Sequence, residues 1–73
     1  MTEYEVLIES INPCGGEQYA QREILEIETA DPVAYAAENS PYPVLKQARN
    51  SGGDLVITTG NDAGYIKRYT FTE

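Results

Sequence analysis

Glu3-Tyr4-Glu5-Val6-Leu7-Ile8-Glu9-Ser10-Ile11 is the stretch that decides how this chain is read. Tyr4, Val6 and Ile8 fall on one side of an extended backbone. Glu3, Glu5, Leu7 and Glu9 fall on the other. Successive side chains of a strand point to opposite faces, so this period of two predicts a half-buried β-strand over 3–11. The run 20–29 alternates in the same way, with Leu25 and Ile27 on one face and Arg22, Ile24, Glu26 and Glu28 on the other. Between them, Asn12-Pro13-Cys14-Gly15-Gly16 is turn chemistry: Pro13 fixes one φ and the glycines permit positive φ. The two runs predict a β-hairpin with a long, irregular connection.

Working outward, Asp31-Pro32 opens a helix. Asp31 suits the N-cap, where its carboxylate accepts from orphan amides, and Pro32 suits the first helical position. Three alanines between 34 and 37 favour helix locally. Pro41 and Pro43 end it, because each pushes the preceding residue out of the helical region. The segment 43–50 reads two ways. As a helix it places Val44, Leu45 and Ala48 on one face and stops at Ser51-Gly52-Gly53; as a strand it uses the same glycines as a hairpin loop. The balance tips to a short second helix. The C-terminal block is β-branched and apolar over 54–59, breaks at Gly60-Asn61-Asp62-Ala63-Gly64, and resumes over 65–72, which predicts an antiparallel hairpin. The expected fold is a single small α+β domain: one antiparallel sheet of four or five strands with one or two short helices on one face, in the order β-β-α-(α or β)-β-β.

The sheet then has a core face of Tyr4, Val6, Ile8, Leu25, Ile27, Leu55, Ile57, Tyr69 and Phe71. The opposite face holds Glu3, Glu5, Leu7, Glu9, Arg22, Ile24, Glu26, Glu28, Val56, Thr58, Ile66, Arg68 and Thr70. Lys67 shares the core side, its stem lying on apolar surface and its charge reaching solvent at an edge. Two adjacent strands rich in glutamate repel one another, since like charges directly opposed in a sheet are destabilising. A basic neighbour relieves this. The last strand is therefore expected beside the first, with Arg68 near Glu5 or Glu9.

Charge is unevenly distributed. Of the net −7, all resides in residues 1–36, where eight acids face one base; residues 37–73 carry four of each. Such asymmetry bears on partners more than on fold. A pI near 4.3 is opposite to the basic footprint needed for direct contact with nucleic acid or an anionic membrane. The chain has no histidine and one cysteine, which removes histidine acid–base pairs, Cys–His nucleophiles and cysteine-cluster zinc sites within one chain. No phosphate-cradling glycine loop is present. An enzyme is thus the least favoured class, and no cofactor, metal or small-molecule ligand is expected. The acidic, alternating start differs from a cationic, apolar secretory signal, and Cys14 has no internal partner, so a reducing cytoplasm is the expected compartment.

The polar face carries four aliphatics: Leu7, Ile24, Val56 and Ile66. Such residues exposed singly are ordinary, but an apolar stripe with a charged rim is what a protein-interaction site looks like. The candidate surface is Glu3, Glu5, Leu7, Glu9, Ile24, Glu26, Glu28, Val56, Ile66 and Arg68, and the candidate partner is another protein or a second copy. A second reading makes the carboxylates a mimic of a polyanion that occupies a basic nucleic-acid-binding site. Among the six tyrosines, Tyr4, Tyr65 and Tyr69 are expected to pack in the sheet, with Tyr19, Tyr35 and Tyr42 more exposed. Cys14 is expected in an exposed turn without the cationic surroundings that activate a thiol. Asn61-Asp62 reads as turn and not as a calcium loop.

Overall fold

The computed structural model describes residues 2–73, and the side chains of all of these except 16–19. Five strands and one helix follow in the order β1 (Thr2–Asn12), β2 (Gly16–Thr29), α1 (Pro32–Asn39), β3 (Val44–Arg49), β4 (Leu55–Gly60) and β5 (Ile66–Thr72). The strands form one antiparallel sheet in the spatial order β2-β1-β5-β4-β3. The chain builds a hairpin, crosses one face of the sheet through α1 to the far edge, and returns as a three-stranded meander. The last strand closes against the first, as the repulsion argument required.

Asp31 caps α1: its Oδ1 accepts from the amides of Val33 at 3.1 Å and Ala34 at 3.2 Å. The helix stops at Ser40, whose backbone is extended (φ −87°, ψ 138°) and whose amide donates to the Ala36 carbonyl at 2.9 Å. Pro41 then prevents continuation.

The expected second helix over 43–50 is instead β3. Each β-hairpin turn is held by an asparagine that opens it. In the β3–β4 turn, Asn50 Oδ1 accepts from Gly52 and Asp54 amides at 2.9 and 3.0 Å, and Gly53 adopts φ +84°. In the β4–β5 turn, Asn61 Oδ1 accepts from Ala63 and Tyr65 amides at 3.0 and 3.1 Å, and Gly64 adopts φ +91°. The two loops share one design, and the first of them folds 44–49 back on β4. Pairing satisfies backbone groups of β4 that a helix at 43–50 would leave unmatched. A register shift between Val44 and Lys46 hides the alternation that marks a strand. The β1–β2 connection is also shorter than expected. β2 begins at Gly16, and Asn12 again holds the turn, accepting from the Cys14 amide through Oδ1 at 2.8 Å and from the Gly15 amide through its carbonyl at 3.2 Å.

The core lies between α1 and one sheet face. Val6, Ile8, Ala36, Ile57, Tyr69 and Phe71 are buried there, flanked by Tyr4, Leu25, Ile27, Val33, Tyr35, Val44 and Leu55. Tyr35 meets Tyr69 and Phe71 edge-on, and Tyr4 meets Phe71 edge-on at 5.6 Å. Tyr35 is thus partly buried: it packs on the core and keeps part of its surface exposed, as expected. Lys67 lies on this side with Nζ 5.8 Å from the Tyr69 ring. A chain of hydroxyls pins the helix end to the sheet: the Tyr42 amide donates to Ser40 Oγ, Ser40 Oγ donates to Thr59 Oγ1 at 2.7 Å, and Thr59 Oγ1 donates to the Lys67 carbonyl at 2.6 Å. Ser40 Oγ thereby uses its one donor and one of its two acceptor sites. The buried Tyr69 hydroxyl makes no hydrogen bond of good geometry among the described residues; burial pushes that phenol above its ordinary value, and the weaker approach of the Ser40 hydroxyl opposes the shift only in part.

Candidate interaction surface

The face opposite α1 resolves into rows that run across the strands, because residues in register share a face. One row is Ile24, Leu7, Thr70, Val56 and Ala48, read from β2 to β3. To one side lie two directly opposed glutamate pairs, Glu5–Glu26 and Glu3–Glu28. To the other side lies a row of Arg22, Glu9, Arg68, Thr58 and Lys46. Beyond it, Ile11 and Ile66 are paired, with Gly60 beside Ile66. A Cβ at Gly60 would lie 2.7 Å from Ile66 Cδ1 and 2.9 Å from Leu45 Cδ1, so the missing side chain is what lets those two aliphatics close over the strand.

Leu7, Ile24 and Val56 thus lie in one row, with Thr70 between Leu7 and Val56. Ile66 does not join them; the charged row of Glu9 and Arg68 separates it. The carboxylates do not ring the stripe either. They flank it on one side only, and the other side is basic. The face is dipolar.

Glu9 is the hinge of that dipole. Its Oε1 accepts from Arg68 Nε at 3.0 Å and its Oε2 from Arg22 Nε at 3.3 Å. The two guanidiniums cover it, leaving Glu9 8% exposed on a face that otherwise meets solvent. The Arg68 hydrogen bond, backed by both positive charges and opposed by burial, holds its carboxyl below the usual 4.5. Glu3, Glu5, Glu26 and Glu28 have no ion pair among the described residues. Each opposed pair is destabilising by up to roughly 1 kcal/mol.

Comparison with family models, curated proteins and solved structures finds no match to this chain.

Ile24 is 64% exposed and Leu45 58%, the largest values among bulky apolar side chains on this face. Both stand at sheet edges, one on β2 and one on β3. The sequence reading missed three contributors. Ile11 was legible, since it continues the odd-numbered side of β1. Leu45 and Ala48 were hidden by the helix reading of 43–50. At the turn end of the sheet, Tyr42 stacks on Tyr65 at 6.4 Å, and Tyr65 precedes β5 and is exposed, the reverse of its expected packing. Tyr19 lies outside the described side chains. Cys14 is exposed in its turn. Among the described residues no group of three or more Cys, Asp or Glu side chains is placed to hold a metal ion. None of their helices is long and apolar enough to cross a membrane.

Proposed function

We propose that this chain is a small non-catalytic interaction module that binds a protein partner, or itself, through the sheet face opposite α1. The observation that supports this most is the row Ile24–Leu7–Thr70–Val56, set between glutamates that have no ion pair among the described residues and an arginine-rich row. Apolar area with a charged rim supplies the two parts of a protein contact: burial for affinity and charge for orientation. The four glutamates are held in like-charge opposition, and a partner that brings cations against them relieves the repulsion. A cytoplasmic setting belongs to the same proposal, since Cys14 is exposed and free.

The polyanion reading ranks second. It draws on Glu3, Glu5, Glu26 and Glu28 alone, because Glu9 is engaged by Arg22 and Arg68. Salt separates the two: a mimic releases its basic partner as ionic strength rises, whereas apolar burial persists.

The test is affinity capture from the native lysate, together with sedimentation of the pure protein, for wild type and for I24D and L45D. Both substitutions alter exposed side chains and leave the core untouched. The expected result is loss of the captured protein, or of self-association, with unchanged thermal unfolding. Identical captured sets and identical sedimentation for all three proteins would overturn the assignment of this face.

A further inference from the structure

The two edges of the sheet are built differently. β3 is a short strand that follows Pro43, carries a register shift at its start, and bears Lys46 and Arg49. Short length, proline, irregular register and basic charge are the devices that keep an edge from pairing. Over 20–29, β2 has one of them, the basic charge of Arg22. It contains no proline and no lysine, and its register against β1 is unbroken from Gln21 to Thr29. Among the described residues no other strand lies along its outer edge, and α1 packs toward β3 and β4.

We propose that the free edge of β2 pairs antiparallel with the same edge of a second copy, centred on Ile24, so that two sheets become one of ten strands. A symmetric antiparallel pair sets one residue opposite its own copy. Centring on Arg22, Glu23 or Glu26 opposes like charges. Centring on Leu25 sets Ile24 against a glutamate. Centring on Ile24 sets Ile24 against itself and places Arg22 opposite Glu26 of the second copy, twice, on the outer face. Glu23 then lies opposite Leu25.

This register answers two features of the single chain. Ile24, the most exposed of the bulky apolar residues on this face, gains cover. Glu26, which within the chain opposes only Glu5, gains a cation. The aliphatic row becomes continuous through Leu7, Ile24 and their copies, and the acidic side of one sheet runs into the basic side of the other. The pairing goes beyond the face-binding reading, since it names the occupant of an edge and holds whether or not the face has another partner.

The test is sedimentation equilibrium over a concentration series. Wild type is expected to show a monomer–dimer equilibrium that weakens with salt. E26R removes the repulsion with Glu5, so it folds at least as stably, yet sets arginines opposite each other across the axis; its dimer Kd is expected to rise about tenfold or more, a change of ~1.4 kcal/mol. R22E is expected to weaken the dimer likewise, and an equimolar mixture of R22E with E26R to associate, because each chain then supplies what the other lacks. In a C14S background, I24C is expected to form a disulfide-linked dimer, since directly opposed residues lie roughly 4.5–5.5 Å apart at Cα, within disulfide reach; E28C is not. A wild type that stays monomeric to its solubility limit, an E26R dimer as tight as wild type, or linkage through E28C in place of I24C would overturn the proposal. L45D, on the far edge from β2, reports on the face alone, so failure of the face reading and failure of the edge pairing are separable.

Discussion

Replacing Glu9 by glutamine keeps the size of the side chain and removes the charge that Arg22 and Arg68 share. Side-chain exposure is 10% for Glu9, 30% for Arg68 and 53% for Arg22. The Arg68 contact is the stronger, because both partners are largely withdrawn from water; a hydrogen bond to a charged group contributes about 1.5–3 kcal/mol. The Arg22 contact is more exposed and contributes less than about 1 kcal/mol. A glutamine carbonyl still accepts one neutral hydrogen bond, so the net loss in E9Q is about 2 kcal/mol. In a domain of this size 1 kcal/mol moves Tm by about 4–8 °C, which places E9Q roughly 8–16 °C below wild type. The assay is urea unfolding followed by far-ultraviolet circular dichroism and tyrosine fluorescence, the chain having no tryptophan. The pH dependence adds a sign. The folded carboxyl titrates below its ordinary 4.5 because Arg68 donates to it. Its contribution is therefore complete above the unfolded value and is lost as pH falls through the lowered folded value. The gap between wild type and E9Q should stay constant near neutrality and close in acid. A neutral-pH gap under about 0.5 kcal/mol, or a gap that persists in acid, would refute the reasoning.

Three further outcomes follow from the same contacts. E5Q or E26Q removes one member of a directly opposed pair and should raise stability by up to roughly 1 kcal/mol in urea at low salt, the gain shrinking as salt is added. T59V keeps the shape of a fully buried side chain and strips the donor from the Lys67 carbonyl and the acceptor from Ser40; it should cost about 1–3 kcal/mol, read as a lower Tm. Y69F removes a buried hydroxyl that makes no hydrogen bond of good geometry among the described residues while keeping the aromatic packing on Tyr35 and Phe71, so it should leave stability unchanged or raise it by up to about 1 kcal/mol, read from the same urea curves.

Strand periodicity carried most of the fold. β1 declared itself because a glutamate or an aliphatic occupied every alternate position, and one face of such a strand has to be buried. The placement of β5 beside β1 followed from charge: two glutamate-rich strands needed a cation near Glu5 or Glu9, and Arg68 is in register with Glu9. The segment 44–49 was not legible for a physical reason. With six residues and a register shift, Val44 turns to the core while Leu45 and Lys46 both reach the outer side, and that spacing imitates a helical face. The deciding information lay outside the segment, in the Asn50 turn and in the pairing needs of β4. The candidate surface was legible in composition and not in adjacency. Leu7, Ile24 and Val56 share a row in which Thr70 stands between Leu7 and Val56, whereas Ile66 sits with Ile11, Gly60 and Leu45. The separation of acids from bases to opposite sides of the stripe depends on the register of four strand pairs, which no single segment encodes.

Cross-saturation transfer tests the outer face most directly. A deuterated, methyl-protonated sample of this chain, mixed with protonated native lysate or with protonated copies of itself, is irradiated at the aliphatic protons that only the partner carries. The account predicts attenuation at the methyls of Ile24, Leu7, Val56 and Leu45, with Val6, Ile57 and Val33 on the helix side unaffected. Attenuation confined to the helix side, or absent from every methyl, would contradict it.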